Sequence, residues 1–326
     1  MKSNINGSKV VITGGSGYIG ARLSMYLAKN NFQVIPVCRS RGNINENWMT
    51  LMQSVIFGDI RDEGTLDKVR KCLPDIIIHL ISLDHVKSEN NISDTLDVNV
   101  QSTWQLLKLA KELSVKDFVN FSSVQVYGNS KNKILTESST LNPNNFYALT
   151  HKMSEDLVLY YNNIYGLNSY NIRLSNSYGD PLFENSNSWS LVINDLCKKV
   201  FYEKKIILKS RGESLKDFIH YTTICNAIHQ LIKSGKAKEP IYNLSSGNSL
   251  SILNLAVLIK KIYKERNGLD VPVFINESKL FKIKNDNHLK YHRQFSNDKI
   301  RSVIEFDKLD LVLGINRIFE SLERKL

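Results

Sequence analysis

Short apolar runs separated by longer amphipathic stretches recur through the first half of the chain. Val10–Thr13, Val34–Val37, Val55–Phe57, Ile76–Leu80 and Phe118–Phe121 are short and rich in β-branched or aromatic residues, which predicts strands. The stretches between them carry helical spacing. One sets Leu96, Val100, Thr103, Leu107 and Ala110 at three- and four-residue steps, an inward-facing stripe. Strands that are apolar throughout and alternate with helices predict a parallel sheet covered on both faces. A sixth strand, Ser169–Arg173, precedes an Asn- and Ser-rich stretch from Asn176 to Ser190 where the regularity fades, and a smaller lobe is expected to begin there. A helix near Thr222–Ile232 and a strand near Ile241–Leu244 resume the sheet-type pattern. The expected division is therefore interleaved: residues 1–175 with 215–245 in a large domain, 176–214 and 246–326 in a smaller α/β lobe.

Length agrees with that division, since 326 residues exceed what one ordinary core supports. Hydrophobic residues at 42% and charged residues at 23% exclude a collagenous, disordered or membrane-spanning chain. A net charge of +11 attracts anions, whether nucleic acid, an anionic membrane surface or an acidic small substrate. Lys198–Lys199, Lys204–Lys205 and Lys260–Lys261 fall where helices and strands meet water, and neither a basic helix nor an aromatic stacking motif accompanies them. Nucleic acid is therefore not an expected partner. Cys38, Cys72, Cys197 and Cys225 lack the paired spacing of a metal or redox site and are expected to be small core residues in a reducing compartment. The polar Met1–Ser8 and the short apolar run Ile76–Leu83 predict no signal peptide and no membrane span, hence a cytoplasmic protein.

Thr13-Gly14-Gly15-Ser16-Gly17-Tyr18-Ile19-Gly20 follows the first strand directly and opens a helix. Glycines at 14, 17 and 20 give a tight turn, close backbone approach to a pyrophosphate, and close helix–strand packing, with the helix N-terminus facing the anion. This is the dinucleotide-binding turn of a Rossmann-type, doubly wound sheet. The acidic residue that holds an NAD ribose about 20 positions on is missing; the second strand ends in Arg39-Ser40-Arg41. Arg39 and Arg41 suit a ribose phosphate and tilt the cofactor from NAD(H) toward NADP(H). Asp59 and Ile60, after the third strand, stand where the adenine would lie.

Two further segments carry chemistry: Phe121-Ser122-Ser123-Val124-Gln125-Val126-Tyr127-Gly128 after the fifth strand, and Asn145-Phe146-Tyr147-Ala148-Leu149-Thr150-His151-Lys152 opening a helix. With the glycine turn, they make the chain resemble the extended short-chain dehydrogenase/reductases, in their NAD(P)-dependent nucleotide-sugar epimerase and dehydratase branch, over nearly its whole length. The resemblance implies that Ser123 and Tyr147 grip the reacting sugar hydroxyl, Tyr147 acting as acid or base while hydride passes to or from the nicotinamide. It also implies that Leu80, Ile81 and Ser82 flank the nicotinamide ribose and that Asn99 is a structural asparagine. Asn176, Lys216 and Arg293 fall where the family holds the sugar diphosphate, and a homodimer is implied.

Two positions depart from the family. Dehydratases carry an Asp–Glu pair where this chain has Val124 and Gln125, so dehydration is not expected and Gln125 is read as a substrate contact. The family lysine, four residues after the tyrosine, is His151; Lys152 would sit about 100° around the helix. Glu155, at the family spacing of eight from Tyr147, supports His151 in the lysine position. The leading expectation is an epimerase of a nucleotide-diphosphate sugar, acting through a transient ketosugar in surface polysaccharide or other glycan synthesis. An NADPH-dependent ketosugar reductase is the runner-up, and a catalytically weak dinucleotide-binding sensor is the alternative of another class.

Overall fold

The computed structural model describes residues 7–42, 44–130, 133–183, 187–237, 239–275, 279–280 and 294–324. Its central sheet has seven strands: β1 (Lys9–Thr13), β2 (Gln33–Cys38), β3 (Ile56–Phe57), β4 (Ile76–His79), β5 (Asp117–Ser123), β6 (Ser169–Leu174) and β7 (Ile241–Leu244). They lie in the order β7-β6-β5-β4-β1-β2-β3, and every neighbouring pair is parallel. The strands read as apolar throughout because each face feeds its own core. Val10, Ile12, Ile76 and Ile78 enter one cluster, while Val11 and Ile77 enter the cluster on the opposite side. The doubly wound sheet expected from the sequence is the observed fold. Its strand order reverses between β1 and β4, which opens a crevice at the carboxyl ends of those strands.

The helices that concern the site are α1 (Tyr18–Lys29), α2 (Glu63–Cys72), α3 (Ser102–Glu112) and α4 (Phe146–Tyr165). Further along come α5 (Val192–Glu203), α6 (Tyr221–Ser234), α7 (Ile252–Asn267) and α8 (Leu311–Glu323). A separate core gathers α5, α7 and α8 around Leu196, Ile259, Ile318 and Phe319. Beside it, strands Ser249–Ser251, Leu215–His220 and Asn176–Tyr178 form a three-stranded sheet. No helix among the described residues is long and apolar enough to cross a membrane.

Two expectations are corrected. The stripe holding Leu96 and Val100 inward is displaced because Asp97–Gln101 forms a π turn ahead of α3, and the extra residue rotates the face. Thr95 and Asn99 are buried there, with Leu96 and Val100 only partly covered. Cys72 is likewise not a core residue: it ends α2 half-exposed, unlike buried Cys38, Cys197 and Cys225.

One buried ion pair fastens α4 to the sheet. Arg173 on β6 places Nη2 at 2.8 Å from Glu155 Oε2, with the two side chains 2% and 1% exposed. Arg173 Nε donates to Glu155 Oε1 at 3.0 Å, and Ser122 Oγ donates to the same oxygen at 2.6 Å. Arg173 Nη1 donates to the Tyr127 hydroxyl at 2.9 Å, which donates to Asn243 Oδ1 on β7 at 2.6 Å. Deleting one partner of such a pair strands a buried charge and costs about 3–5 kcal/mol. Glu155→Ala is therefore expected to lower the urea midpoint accordingly with an unchanged slope, and pairing Glu155→Leu with Arg173→Met to recover most of the loss. A Glu155→Ala chain as stable as its parent would remove the pair from any account of the fold.

Candidate functional site

The glycine turn is built by close approach. Gly14 takes φ +70°, and its carbonyl oxygen lies where a Cβ on Gly20 would come within 2.1 Å. A Cβ on Gly15 would meet the Pro36 Cβ at 2.3 Å, a packing demand from β2 that the spacing of the other glycines does not reveal. Gly17 caps α1 without a side chain, leaving the helix N-terminus to face the crevice.

Gly14, Ser16, Gly17, Arg39, Asp59, Ile60, Leu80, Ile81 and Ser82 line a groove of about 290 Å³ at the crevice. Tyr18, Ile19 and Gly20 lie behind the turn: the Tyr18 ring meets Tyr221 edge-on at 6.3 Å, and Ile19 packs on the core. Arg41 is not brought to the groove; it forms an exposed ion pair with Glu46. Arg61, which the sequence did not single out, is. It grips Asp59 with Nε and Nη2 at 2.9 and 2.7 Å and reaches Asp94 with Nη1 at 2.7 Å, holding the Asp59 carboxyl below its usual range. Asn99 acts as a strut. Its Oδ1 accepts from the Leu83 amide at 2.8 Å and its Nδ2 donates to Thr150 on α4 at 3.0 Å.

At the end of β5, Ser123 shares a cavity of about 270 Å³ with Gln125, Tyr147, Asn176 and Phe218. Asn145 caps α4 by accepting from the Ala148 amide at 2.8 Å, which sets Tyr147 in the first turn. The Tyr147 phenol faces Ser123 and Ser82, and burial raises its pKa above the ordinary value. His151, one turn on, meets the Tyr147 ring edge-on at 4.5 Å. It is buried, its Nε2 has no hydrogen-bond partner among the described residues, and burial lowers its pKa to about 4. Lys152 faces outward and binds Asp156 at 2.6 Å. A second cleft, about 430 Å³, shares Gln125 and Asn176 with the cavity and adds His85, Asn129, Asn144, Asn145 and Lys216. Asn145 Nδ2 donates to Gln125 Oε1 at 3.4 Å, and Asn176 Nδ2 donates to the Asp217 carbonyl at 2.9 Å. Arg293 lies outside the described residues. No cluster of metal-ligating side chains occurs among the described residues.

Residues 10–245 match the NAD dependent epimerase/dehydratase family, and the chain belongs to it. A dTDP-D-glucose 4,6-dehydratase of Dictyostelium discoideum is 27% identical over 276 residues, 78% of this chain, which spans 62% of that relative's length. A putative UDP-glucose 4-epimerase of Methanocaldococcus jannaschii is 26% identical over 77% of this chain and 81% of its own. Among solved structures, a UDP-N-acetylglucosamine 4-epimerase of Methanobrevibacter ruminantium M1, in complex with UDP-N-acetylmuramic acid, superposes with TM-score 0.80 at 20% identity, covering 98% of this chain and all of the other.

Gly17 lines the groove and a Cβ there would meet the Gly14 carbonyl oxygen at 3.0 Å, so Gly17→Val is expected to abolish binding of a nicotinamide dinucleotide while leaving the circular dichroism spectrum intact. Undiminished titration of cofactor into that variant would overturn the assignment of the turn. The buried histidines set a pH dependence. His79, His151 and His220 have pKa values lowered from 6.5 to about 3, 4 and 3 by burial. The unfolded chain takes up these protons first, so stability is full above pH 6.5 and falls as pH drops from there toward about 4. Urea midpoints across that window are expected to decline steadily; a flat profile would mean that the histidines are charged in the fold.

Proposed function

We propose that the chain moves a hydride between a nicotinamide dinucleotide and a ring carbon of a nucleotide-diphosphate sugar, epimerising the sugar through a transient ketosugar for glycan synthesis. The observation that carries this reading is the meeting of Ser123 and Tyr147 in one cavity next to an amide-lined cleft. The dinucleotide fits the residues present: side-chain-free positions at 14, 17 and 20 form the cradle, and the unpartnered His151 Nε2 suits a ribose hydroxyl. Bound there, the nicotinamide would give or take the hydride. Ser123 would hold the reacting oxygen by a hydrogen bond, and Tyr147 would exchange a proton with it. Gln125, Asn176 and Lys216 would orient the sugar and its diphosphate. In this reading residues 1–175 with 215–245 hold the dinucleotide, while 176–214 with 246–326 cover the sugar. Val124 and Gln125 offer neither acid nor base for eliminating water, which sets the chain apart from the dehydratase relatives.

A second reading, an NADPH-dependent ketosugar reductase, is favoured by Arg39 at the groove, where a ribose phosphate would meet a guanidinium. The partner we propose for the chain itself is a second copy. Leu149, Met153, Tyr160 and Ile164 on α4, with Trp104 on α3, are 37–61% exposed and follow helical spacing.

Incubation with a panel of nucleotide sugars separates the readings. Isomers formed with no net change in nicotinamide absorbance are the expected result; stoichiometric NADPH consumption with ketosugars would replace the epimerase by the reductase. His151→Ala is expected to lower turnover by on the order of 10²-fold or more and Lys152→Ala to do little. Equal indifference to both would sink the catalytic reading. Arg39→Ala is expected to reduce the NADP(H)/NAD(H) affinity ratio; an unchanged ratio would make Arg39 a bystander.

A further inference from the structure

We propose that Arg61 and Asp94 are positioning residues for the adenine end of the dinucleotide. Together they hold the Asp59 carboxylate with one acceptor position left for a ligand, and that position selects a base bearing an amino group over one bearing a carbonyl. The inference rests on the reading of the groove as a dinucleotide site and names the residues that set its base selectivity.

A carboxylate offers roughly four acceptor positions on its two oxygens, and on Asp59 a single neighbour takes most of them. Oδ1 accepts from the Arg61 amide at 3.0 Å and from Arg61 Nε at 2.9 Å, while Oδ2 accepts from Arg61 Nη2 at 2.7 Å. Among the described residues, one position on Oδ2 is left. The backbone beneath the carboxylate is fixed as well. The Gly58 amide donates to the Cys38 carbonyl at 3.0 Å, the Asp62 amide donates to the Asp59 carbonyl at 3.1 Å, and a Cβ on Gly58 would meet Thr65 Oγ1 on α2 at 2.1 Å.

Asp59 and Arg61 would swing together if nothing held them from the other side. Asp94 Oδ1 does so, accepting from Arg61 Nη1 at 2.7 Å. It belongs to helix Ile92–Leu96, which follows β4, and its own amide donates to Asn91 Oδ1 at 3.1 Å. In the sheet, β1 and β2 lie between β3 and β4. A contact between the segments that follow β3 and β4 therefore ties together two walls of the groove, which Asp59, Arg61 and Asp94 all line. The Arg61 and Asp94 side chains are 35% and 40% exposed, and at that exposure water competes for both charges, so the ion pair adds little stability. What it supplies is position.

Arg61 and Arg39, which lines the same groove, both favour the charged form of Asp59. A charged carboxylate accepts hydrogen bonds and donates none. It suits the exocyclic amino group of adenine, and it opposes the carbonyl oxygen that hypoxanthine carries at the same ring position. Two dinucleotides that differ only there thus report where the Asp59 carboxylate is held.

The test is titration of the purified chain with the reduced nicotinamide adenine dinucleotide and with its hypoxanthine analogue, each with or without the ribose phosphate, followed by nicotinamide fluorescence. The wild type is expected to favour adenine on the order of tenfold, the loss of one hydrogen bond to a charged group. Arg61→Ala is expected to bring the ratio near one and Asp94→Asn to lower it in part. Arg61→Lys keeps the charge without the fork and is expected to fall with Arg61→Ala. An undiminished ratio in folded Arg61→Ala and Asp94→Asn chains overturns the inference, even if both dinucleotides bind more weakly, since a merely structural ion pair would weaken them equally. A wild-type ratio near one overturns it too. Failure of every such dinucleotide to bind overturns the reading of the groove beneath it.

Discussion

The site depends on a buried charge pair that contributes geometry more than stability. Moving Glu155 and Arg173 out of water costs several kcal/mol per ion, repaid only if the remaining donors and acceptors are met. Here they are. Glu155 accepts from Ser122 and from Arg173 Nε and Nη2, and Arg173 Nη1 reaches the Tyr127 hydroxyl and the Glu137 carbonyl. These partners come from β5, β6 and the chain that follows β5, so α4 has one permitted height and rotation on the sheet. Tyr147 lies eight residues before Glu155, about 12 Å up the helix axis, and His151 lies between them. Fixing Glu155 therefore fixes the phenol against Ser123, although neither touches the ion pair.

A second strut keeps the other side of α4 in place. Asn99 ties the Leu83 amide to Thr150, and its own carbonyl accepts from Thr103 and Ser154 hydroxyls at 2.7 and 2.6 Å. Only the π turn at Asp97–Gln101 delivers Asn99 into that interior position, since a regular helix would present a different face. Tyr147 and His151 thus sit on a helix braced from both flanks, while the outer cleft is lined by the side-chain amides of Gln125, Asn129, Asn144, Asn145 and Asn176.

Much of this was legible in the sequence for reasons that are local. The glycine turn announces itself because backbone approach tolerates no Cβ at Gly20 and because Gly14 takes a left-handed φ. The strands announce themselves because burial on two faces demands unbroken apolar runs. Tyr147 and His151 fall on one face because they are one helical turn apart. What escaped depends on residues brought together by the fold. Arg61 is close to Asp59 in sequence, but its grip on Asp94 requires the segment before α3 to fold back over the groove. Arg41 reads as a phosphate ligand by position, yet Glu46, five residues on, captures it. The π turn has no residue signature, so the stripe drawn through Leu96 and Val100 was rotated from the true one, which turns Thr95 and Asn99 inward.

The charge that is missing from the cavity shapes the chemistry as much as the residues that are present. Where the resemblance implies an acidic pair in dehydratases and a lysine across the family, this chain carries Val124, Gln125 and His151. Gln125 is held through its carbonyl by Asn145, and in the proposed reaction its amide hydrogens would be left for a sugar oxygen. With no fixed cation beside Tyr147 among the described residues, the balance between phenol and phenolate would, in the proposed reaction, pass to whatever charge a bound cofactor brings. An oxidised nicotinamide is cationic and a reduced one is not, so in the proposed reaction the redox state of a bound dinucleotide would bias the proton affinity of Tyr147 more than it would beside a permanent lysine.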